Sequence, residues 1–399
     1  MRSNESMIVN KTSVIAVKDD DCYCVYKQTN KLRSLVVIGI NAYKGNDRFY
    51  RTVVMPVIHS LTDAETAHSL AIKAAKYGFV PKLQDDSSLL PILKTSLWGL
   101  EFKNPIGLAA GFDKDGQAVE GLSKLGFGFI EIGSCTPEPQ PGNDRPRVFR
   151  LMADKAIINR YGFNSAGHES LERNMKQLSR SGKKVIIGLN LGKNKSTEDM
   201  VEDYVKGMVK FCDCKAIDYL VLNISSPNTS HLRDLQNKSQ LRGLIERVLK
   251  VRVDMNIEKP LLIKIAPDLN DTQLRDIIEM VNKFATNKSK RGIDGLIVSN
   301  TTVERPVVLK SNDQLVAETG GLSGLPLRDK STEMIGRVYQ LTNGRVPIIG
   351  VGGVFTGSDA YDKISAGASL IQIYTALTYE GPQVVTKIKR ELADIVRYL

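Results

Sequence analysis

Hydrophobic and polar positions alternate in a repeating pattern from Pro105 onward. A short apolar run is followed by a turn rich in Gly, Asn or Ser, then by a helical stretch. The runs are Ile106–Ala110, Phe127–Ile132, Val185–Leu189, Tyr219–Ile224, Leu261–Ile265, Gly295–Val298, Val346–Ile349 and Leu370–Tyr374. Near-continuous apolar strands separated by helices predict a parallel sheet covered by helices. Eight such units predict an α/β fold, a (β/α)8 TIM barrel, with a doubly wound open sheet as the alternative.

The pattern upstream is different. Phe49, Val53, Met55, Val57, Ile58 and Leu61 fall at helical spacing, with Pro56 inside or interrupting the segment. Asp63 opens a second helix carrying Ala64, Ala67, His68, Leu70, Ala71 and Ala74. Such a pair forms either an extension of the core or a hydrophobic lid. Residues 1–30 have no clear apolar period and contain Asp19-Asp20-Asp21. The run Leu35–Ile40 is far short of the roughly 20 residues a spanning helix needs. The expected organisation is a leader over 1–46, a small two-helix N-terminal domain over 47–82 and the barrel over 83–399.

Composition narrows the function classes. The chain has 399 residues, 42% hydrophobic and 25% charged, so wholesale disorder is excluded. Its net charge of +11 favours anionic ligands or surfaces, but no dense basic run or nucleic-acid motif accompanies it, and nucleic acid is not an expected partner. Cys22, Cys24, Cys135, Cys212 and Cys214 do not make a disulfide scaffold or a zinc spacing, and the four histidines show no metal-binding pattern. No metal is expected.

In a (β/α)8 barrel the reactive groups collect at the C-terminal ends of the strands. Here the exits read Ala109-Ala110-Gly111-Phe112-Asp113-Lys114, Gly133-Ser134, Asn190, Asn223 to Thr229, Lys264, Ser299-Asn300-Thr301-Thr302, Gly350 to Gly353, and Tyr374-Thr375. No carboxylate pair stands there, which disfavours a glycosidase, and there is no P-loop. Gly352-Gly353 serve either a phosphate site or tight turns. Lys264, inside the apolar stretch Leu-Leu-Ile-Lys-Ile-Ala, forms a Schiff base, balances an anionic ligand or snorkels outward. Ser225-Ser226-Pro227-Asn228 is a reactive loop or an ordinary turn.

Six segments in order resemble the class 2 dihydroorotate dehydrogenases: 104–114, 158–164, 190–195, 225–229, 320–327 and 348–354. The resemblance runs from about Asp47 to near the C-terminus. It implies oxidation of dihydroorotate to orotate on FMN, the fourth step of pyrimidine (UMP) synthesis, with ubiquinone reoxidising the flavin at a membrane surface. By the same resemblance Ser226, where class 1 enzymes carry cysteine, is the catalytic base. Lys114, Asn159, Tyr161, Gly162, Phe163, Asn223, Asn228, Thr229, Asn300 and Thr301 correspond to the substrate site. Ala109, Ala110, Gly111, Lys114, Gly133, Ser134, Asn159, Asn190, Asn223, Lys264, Ser299, Ser323, Gly324, Gly352, Gly353, Tyr374 and Thr375 correspond to the FMN site. Tyr50, Met55, Ile58, His59, His68, Ala71, Arg150 and Tyr374 correspond to a quinone tunnel.

Three departures from the family pattern stand out. His59 replaces a familiar glutamine, and Ser299 a familiar threonine. The family also has a basic presequence and a spanning helix, whereas here the apolar run is abbreviated and the leader partly acidic. The expectation is docking through the helix pair, or a natural start elsewhere, with the mitochondrial inner membrane implied by resemblance. Other readings are an FMN barrel reducing a related dihydropyrimidine, a lysine-dependent barrel lyase, and a non-catalytic scaffold.

Overall fold

The computed structural model describes residues 38–83, 90–182, 185–286 and 291–398. Cys22, Cys24 and the first half of the Leu35–Ile40 run lie outside them. Strands β1 (Ile106–Leu108), β2 (Phe129–Cys135), β3 (Ile186–Leu191), β4 (Tyr219–Asn223), β5 (Leu261–Ile265), β6 (Gly295–Val298), β7 (Ile348–Val351) and β8 (Leu370–Ile373) form a closed parallel barrel. Each pairs with its neighbour in sequence, and β8 closes on β1 through Ile371↔Ile106. Closure eliminates the open-sheet alternative. All eight strands coincide with the apolar runs, because a strand covered by helices outside and side chains inside has no wet face.

Amphipathic helices surround the barrel, and their ends follow local chemistry. Asn270 and Gln273 form a reciprocal capping box at Asp271–Lys283, as do Thr356 and Asp359 at Gly357–Ser365. Inside the barrel, Phe129, Tyr219, Val221, Leu262, Ile297, Ile349 and Leu370 pack into one apolar layer. An antiparallel hairpin, Thr95–Leu97 with Leu100–Phe102, packs against this layer through Phe102, Leu97 and Trp98. It turns at Trp98-Gly99, both with positive φ, and Trp98 Nε1 donates to the Asp294 carbonyl at 2.9 Å.

A second element escaped the sequence pattern. Val148–Leu151, Ala156–Asn159 and Gly321–Gly324 form a three-stranded antiparallel sheet. Its strands are only four residues long, and one comes from a distant part of the chain, so no local period announces it.

Upstream, residues 38–43 are helical. The chain then stays helical from Asp47–Phe49 through a π-helical stretch, Tyr50–Val54, into α1 (Met55–Leu61). Pro56 follows directly on the π-helical stretch, a local widening that accommodates the missing N–H, and the helical path continues through it. Asp63 caps α2 (Ala64–Lys76), its Oδ1 accepting from the Glu65 and Thr66 N–H groups at 2.9 Å. α2 packs against the helix Val119–Ser123 so closely that a Cβ on Gly121 would lie 2.0 Å from the Ala75 carbonyl oxygen. Glu65 ties α2 to the barrel through Arg147 at 2.8 Å and Arg145 at 3.0 Å.

Candidate active site

A cavity of about 440 Å³ runs from the C-terminal ends of the barrel strands to the space beside α1 and α2. It is lined by nearly every residue expected at a site. At the barrel end are Ala109, Ala110, Gly111, Lys114, Ser134, Asn159, Tyr161, Gly162, Phe163, Asn223, Ser226, Asn228, Lys264, Ser299, Asn300 and Thr301. Ser323, Gly324, Gly352, Gly353, Tyr374 and Thr375 line it as well. At the helical end are Tyr50, Met55, Ile58, His59, His68, Ala71 and Arg150. Three expected residues do not line it. Gly133 precedes Ser134 through a cis peptide, and Asn190 lies behind Ser134 and Asn223. Thr229 keeps its Oγ1 buried without a hydrogen-bond partner.

The barrel end is polar because inward-facing residues near the strand exits are amides and hydroxyls rather than branched aliphatics. Asn223 Nδ2 donates to Ser134 Oγ at 2.9 Å and to Asn190 Oδ1 at 3.2 Å. Asn300 Nδ2 donates to Asn223 Oδ1 at 3.2 Å and Ser225 Oγ at 3.0 Å. Ser226 is buried, and its Oγ accepts from the Asn228 N–H at 3.3 Å. Asn228 also donates to Asn159 Oδ1 at 3.3 Å.

Two buried residues of this region were missed in the sequence. Glu131, fully buried in β2, accepts from Asn190 Nδ2 at 2.8 Å and Gln372 Nε2 at 2.6 Å. Gln372 in β8 lines the cavity, and its Oε1 is buried with no partner. Their signal was available: a charged or amide residue inside an apolar run, as at Lys264.

Charge is distributed unevenly. Lys264 lines the cavity, and its ammonium makes no hydrogen bond or ion pair among the described residues. Burial pulls it below the ordinary lysine value, with Glu131 opposing. Burial also lowers Lys114 to about 8, against the pull of Asp115 and Glu65. Its ammonium lies 4.0 Å from the Tyr161 ring centroid. Burial raises Asp113 to about 6, although its carboxyl caps the N–H groups of Gln117 and Ala118.

His68 is pushed to about 3 by burial and by Lys114, so it is a neutral imidazole at ordinary pH. Its Nε2 lies 2.7 Å from the Phe112 carbonyl, which can only accept. Nε2 therefore carries the proton, and Nδ1 accepts from the Tyr161 hydroxyl at 3.3 Å. His59 behaves alike: Nε2 faces the Thr378 carbonyl at 2.9 Å, leaving Nδ1 as an acceptor. Arg150 donates to the Thr62 carbonyl. Around these polar tips the lining is Val54, Met55, Ile58, Ala64, Ala67 and Ala71.

At the exit of β7 the backbone itself forms the wall. Gly353 has φ +70°, and a Cβ there would lie 2.5 Å from Arg328 Cα. Ser323 and Thr375 join hydroxyls at 2.9 Å beside it. Lys363 is buried behind this wall, donating to the Arg328 carbonyl at 3.1 Å and Thr332 Oγ1 at 2.8 Å, and burial lowers it to about 7. Among the described residues no group of three or more His, Cys, Asp or Glu could hold a metal ion.

A closed barrel with amides and a serine loop at one mouth, joined to an apolar passage beneath a helix pair, has close counterparts. The mouse protein "Dihydroorotate dehydrogenase (quinone), mitochondrial" is 50% identical over 361 residues, covering 88% of each chain. The Xanthobacter autotrophicus protein "Dihydroorotate dehydrogenase (quinone)" is 49% identical, covering 86% of this chain and 93% of its own. The crystal structure of DHODH in complex with ferulenol from Eimeria tenella matches with a TM-score of 0.78 at 40% identity, over 86% of this chain and 95% of that one. The family model described as dihydroorotate dehydrogenase matches residues 92–396, from just before the hairpin to the last helix. On fold, site and sequence together, this chain belongs to the dihydroorotate dehydrogenase family.

Proposed function

We propose that this protein oxidises dihydroorotate to orotate on bound FMN and passes the electrons to ubiquinone, the fourth step of pyrimidine synthesis. The observation that carries this reading is the continuity of the cavity. One chamber joins the polar mouth around Ser226 to the apolar passage between α1 and α2. A polar ring substrate and a prenylated quinone therefore meet opposite ends of one enclosed space.

The residues present suit FMN. Lys264 is a buried cation that makes no hydrogen bond or ion pair among the described residues, with only the field of Glu131 to offset it, and Gln372 Oε1 is a buried acceptor without a hydrogen-bond partner among them. Gly352 and Gly353, packed against Ser331 and Arg328 with no room for a Cβ, line the cavity with backbone, which suits a phosphate. Bound FMN would supply the hydride acceptor and electron carrier that no side chain here provides. In this reading Ser226 takes the proton from C5 of the substrate, its hydroxyl oriented by the Asn228 N–H. Lys114 holds the substrate carboxylate, and the asparagines bind the ring by offering both donors and acceptors. Lys264 stabilises negative charge that develops on the flavin.

The helix pair would admit the quinone from a membrane surface. Leu61 and Phe79 are 77% and 81% exposed, and Val53, Val57, Leu70 and Tyr77 are also exposed along the same helical segment and the turn that ends it. No helix among the described residues is long and apolar enough to cross a membrane. The mouse relative is named as mitochondrial, and the surface proposed for this chain is the mitochondrial inner membrane.

The deciding experiment is an anaerobic visible spectrum before and after adding dihydroorotate. Bleaching of a flavin band is expected, with colour restored by ubiquinone. A flavin band that dihydroorotate leaves unchanged would overturn the substrate. A protein without flavin, even after incubation with FMN, would overturn the cofactor and restore the lysine-dependent lyase.

A further inference from the structure

Three asparagines, two at strand ends and one in the loop after β6, stand head to tail across the barrel mouth. The Thr301 N–H donates to Asn300 Oδ1 at 2.8 Å, and Asn300 Nδ2 donates to Asn223 Oδ1 at 3.2 Å. Asn223 Nδ2 donates to Asn190 Oδ1 at 3.2 Å, and Asn190 Nδ2 donates to Glu131 Oε1 at 2.8 Å. Every amide points the same way. A side-chain amide can turn over, exchanging its donor and acceptor ends, so something must hold this direction. One end of the chain is a backbone N–H, which can only donate. The other is a buried carboxylate, whose second oxygen accepts from Gln372 at 2.6 Å and Tyr219 at 3.5 Å. With donors on both oxygens, Glu131 serves as an acceptor throughout, and Lys264 supplies the balancing charge inside the barrel.

We propose that Glu131 is a positioning residue whose carboxylate anchors the buried end of the row Asn190, Asn223 and Asn300, opposite the Thr301 N–H, and so helps fix which donors and acceptors the mouth offers its ligands. This rests on the reading of that mouth as the site of FMN and a dihydropyrimidine. Glu131 does not line the cavity and acts through Asn190 and through Gln372, which does line it. Reversing one amide would put two donors or two acceptors face to face along the row. Each ligand contact there would then meet the wrong group, which is costly in a buried site.

The proposal separates amide direction from charge. In Glu131→Gln, two amides face each other at positions 131 and 372, and neither end of that pair is restricted to accepting. The row keeps the Thr301 N–H at one end but loses the carboxylate at the other. In the double variant Glu131→Gln with Gln372→Glu, the new carboxylate at 372 accepts from the amide at 131. The carbonyl at 131 then faces Asn190 again, and the original direction returns.

The measurement is the orotate dissociation constant, read from the perturbation of the flavin spectrum in oxidised holoenzyme. Glu131→Gln is expected to weaken orotate binding by about tenfold, the scale of one buried hydrogen bond, and the double variant, which also alters Gln372 in the cavity lining, to recover most of that loss. A single variant too unstable to load flavin, with a double variant that loads it and binds orotate normally, supports the same conclusion. Wild-type affinity in the single variant overturns it. So does a double variant that holds flavin but stays weak, because removal of the carboxylate from 131 would then matter by itself. Wild-type protein that takes up no FMN would instead overturn the reading of the site on which this rests.

Discussion

Ser226, Lys114 and His68 illustrate how burial gives ordinary side chains distinct duties. Replacing Ser226 with alanine removes a hydroxyl but leaves the lining otherwise intact. FMN content is expected to be unchanged, while the rate of flavin reduction by dihydroorotate falls by roughly 10²–10⁴-fold, the usual contribution of general base catalysis. Undiminished reduction in a stopped-flow assay would remove Ser226 from that role. Lys114 is lowered to about 8 by burial, so its cation is lost as pH rises through that value. Orotate affinity is therefore expected to fall between pH 7 and 9.5, and Lys114→Met to be weak and flat over the range. A flat wild-type profile would show that Lys114 does not hold the carboxylate.

At the scale of elements, α2 is held to the barrel by the buried Ile72 and Ala75 and by two polar ties, Glu65 and His68. Glu65 stays ionised although burial opposes it, because Arg147 and Arg145 lower it by hydrogen bonding and charge. Arg147 is itself only 7% exposed. Glu65→Ala leaves that guanidinium without its carboxylate, and thermal unfolding should show a loss of about 3 kcal/mol. His68 adds a pH dependence of definite sign. Its folded value of about 3 lies below the ordinary 6.5, so between these limits the unfolded chain binds a proton that the folded chain does not. Stability is present above about 6.5 and declines as pH falls toward 3. His168, lowered to about 4, acts in the same direction. His68→Gln should flatten part of the decline in melting temperature between pH 7 and 4, and an unchanged slope would contradict the neutral state assigned here.

At the scale of the whole molecule, the helix pair gives the cavity a second opening and the surface an apolar face. Leu61→Asp with Phe79→Asp should reduce flotation with anionic vesicles several-fold, leaving flavin reduction by dihydroorotate unaltered. Equal flotation would place the docking surface elsewhere. Only the coupling of the two half-reactions depends on the entire fold. The substrate end is built from strands β1 to β8, and the far end from helices that precede them in sequence.

How much of this was legible beforehand follows from range. The eight strands could be read because a parallel strand buried on both faces is a continuous apolar run, a property of consecutive residues. Strand exits, and with them Ser226, Asn223, Lys264 and Gly353, followed once the barrel was recognised, since a barrel delivers every exit to one face. The antiparallel sheet, the Glu65–Arg147 tie and the row of amides were decided only by tertiary structure. Glu131 meets Asn190 across 59 positions and Gln372 across 241, and nothing in the neighbourhood of any of them marks its partner. Alternation of apolar and polar residues tells each segment which face to bury; which buried polar groups then satisfy one another depends on strands brought together by closure of the barrel.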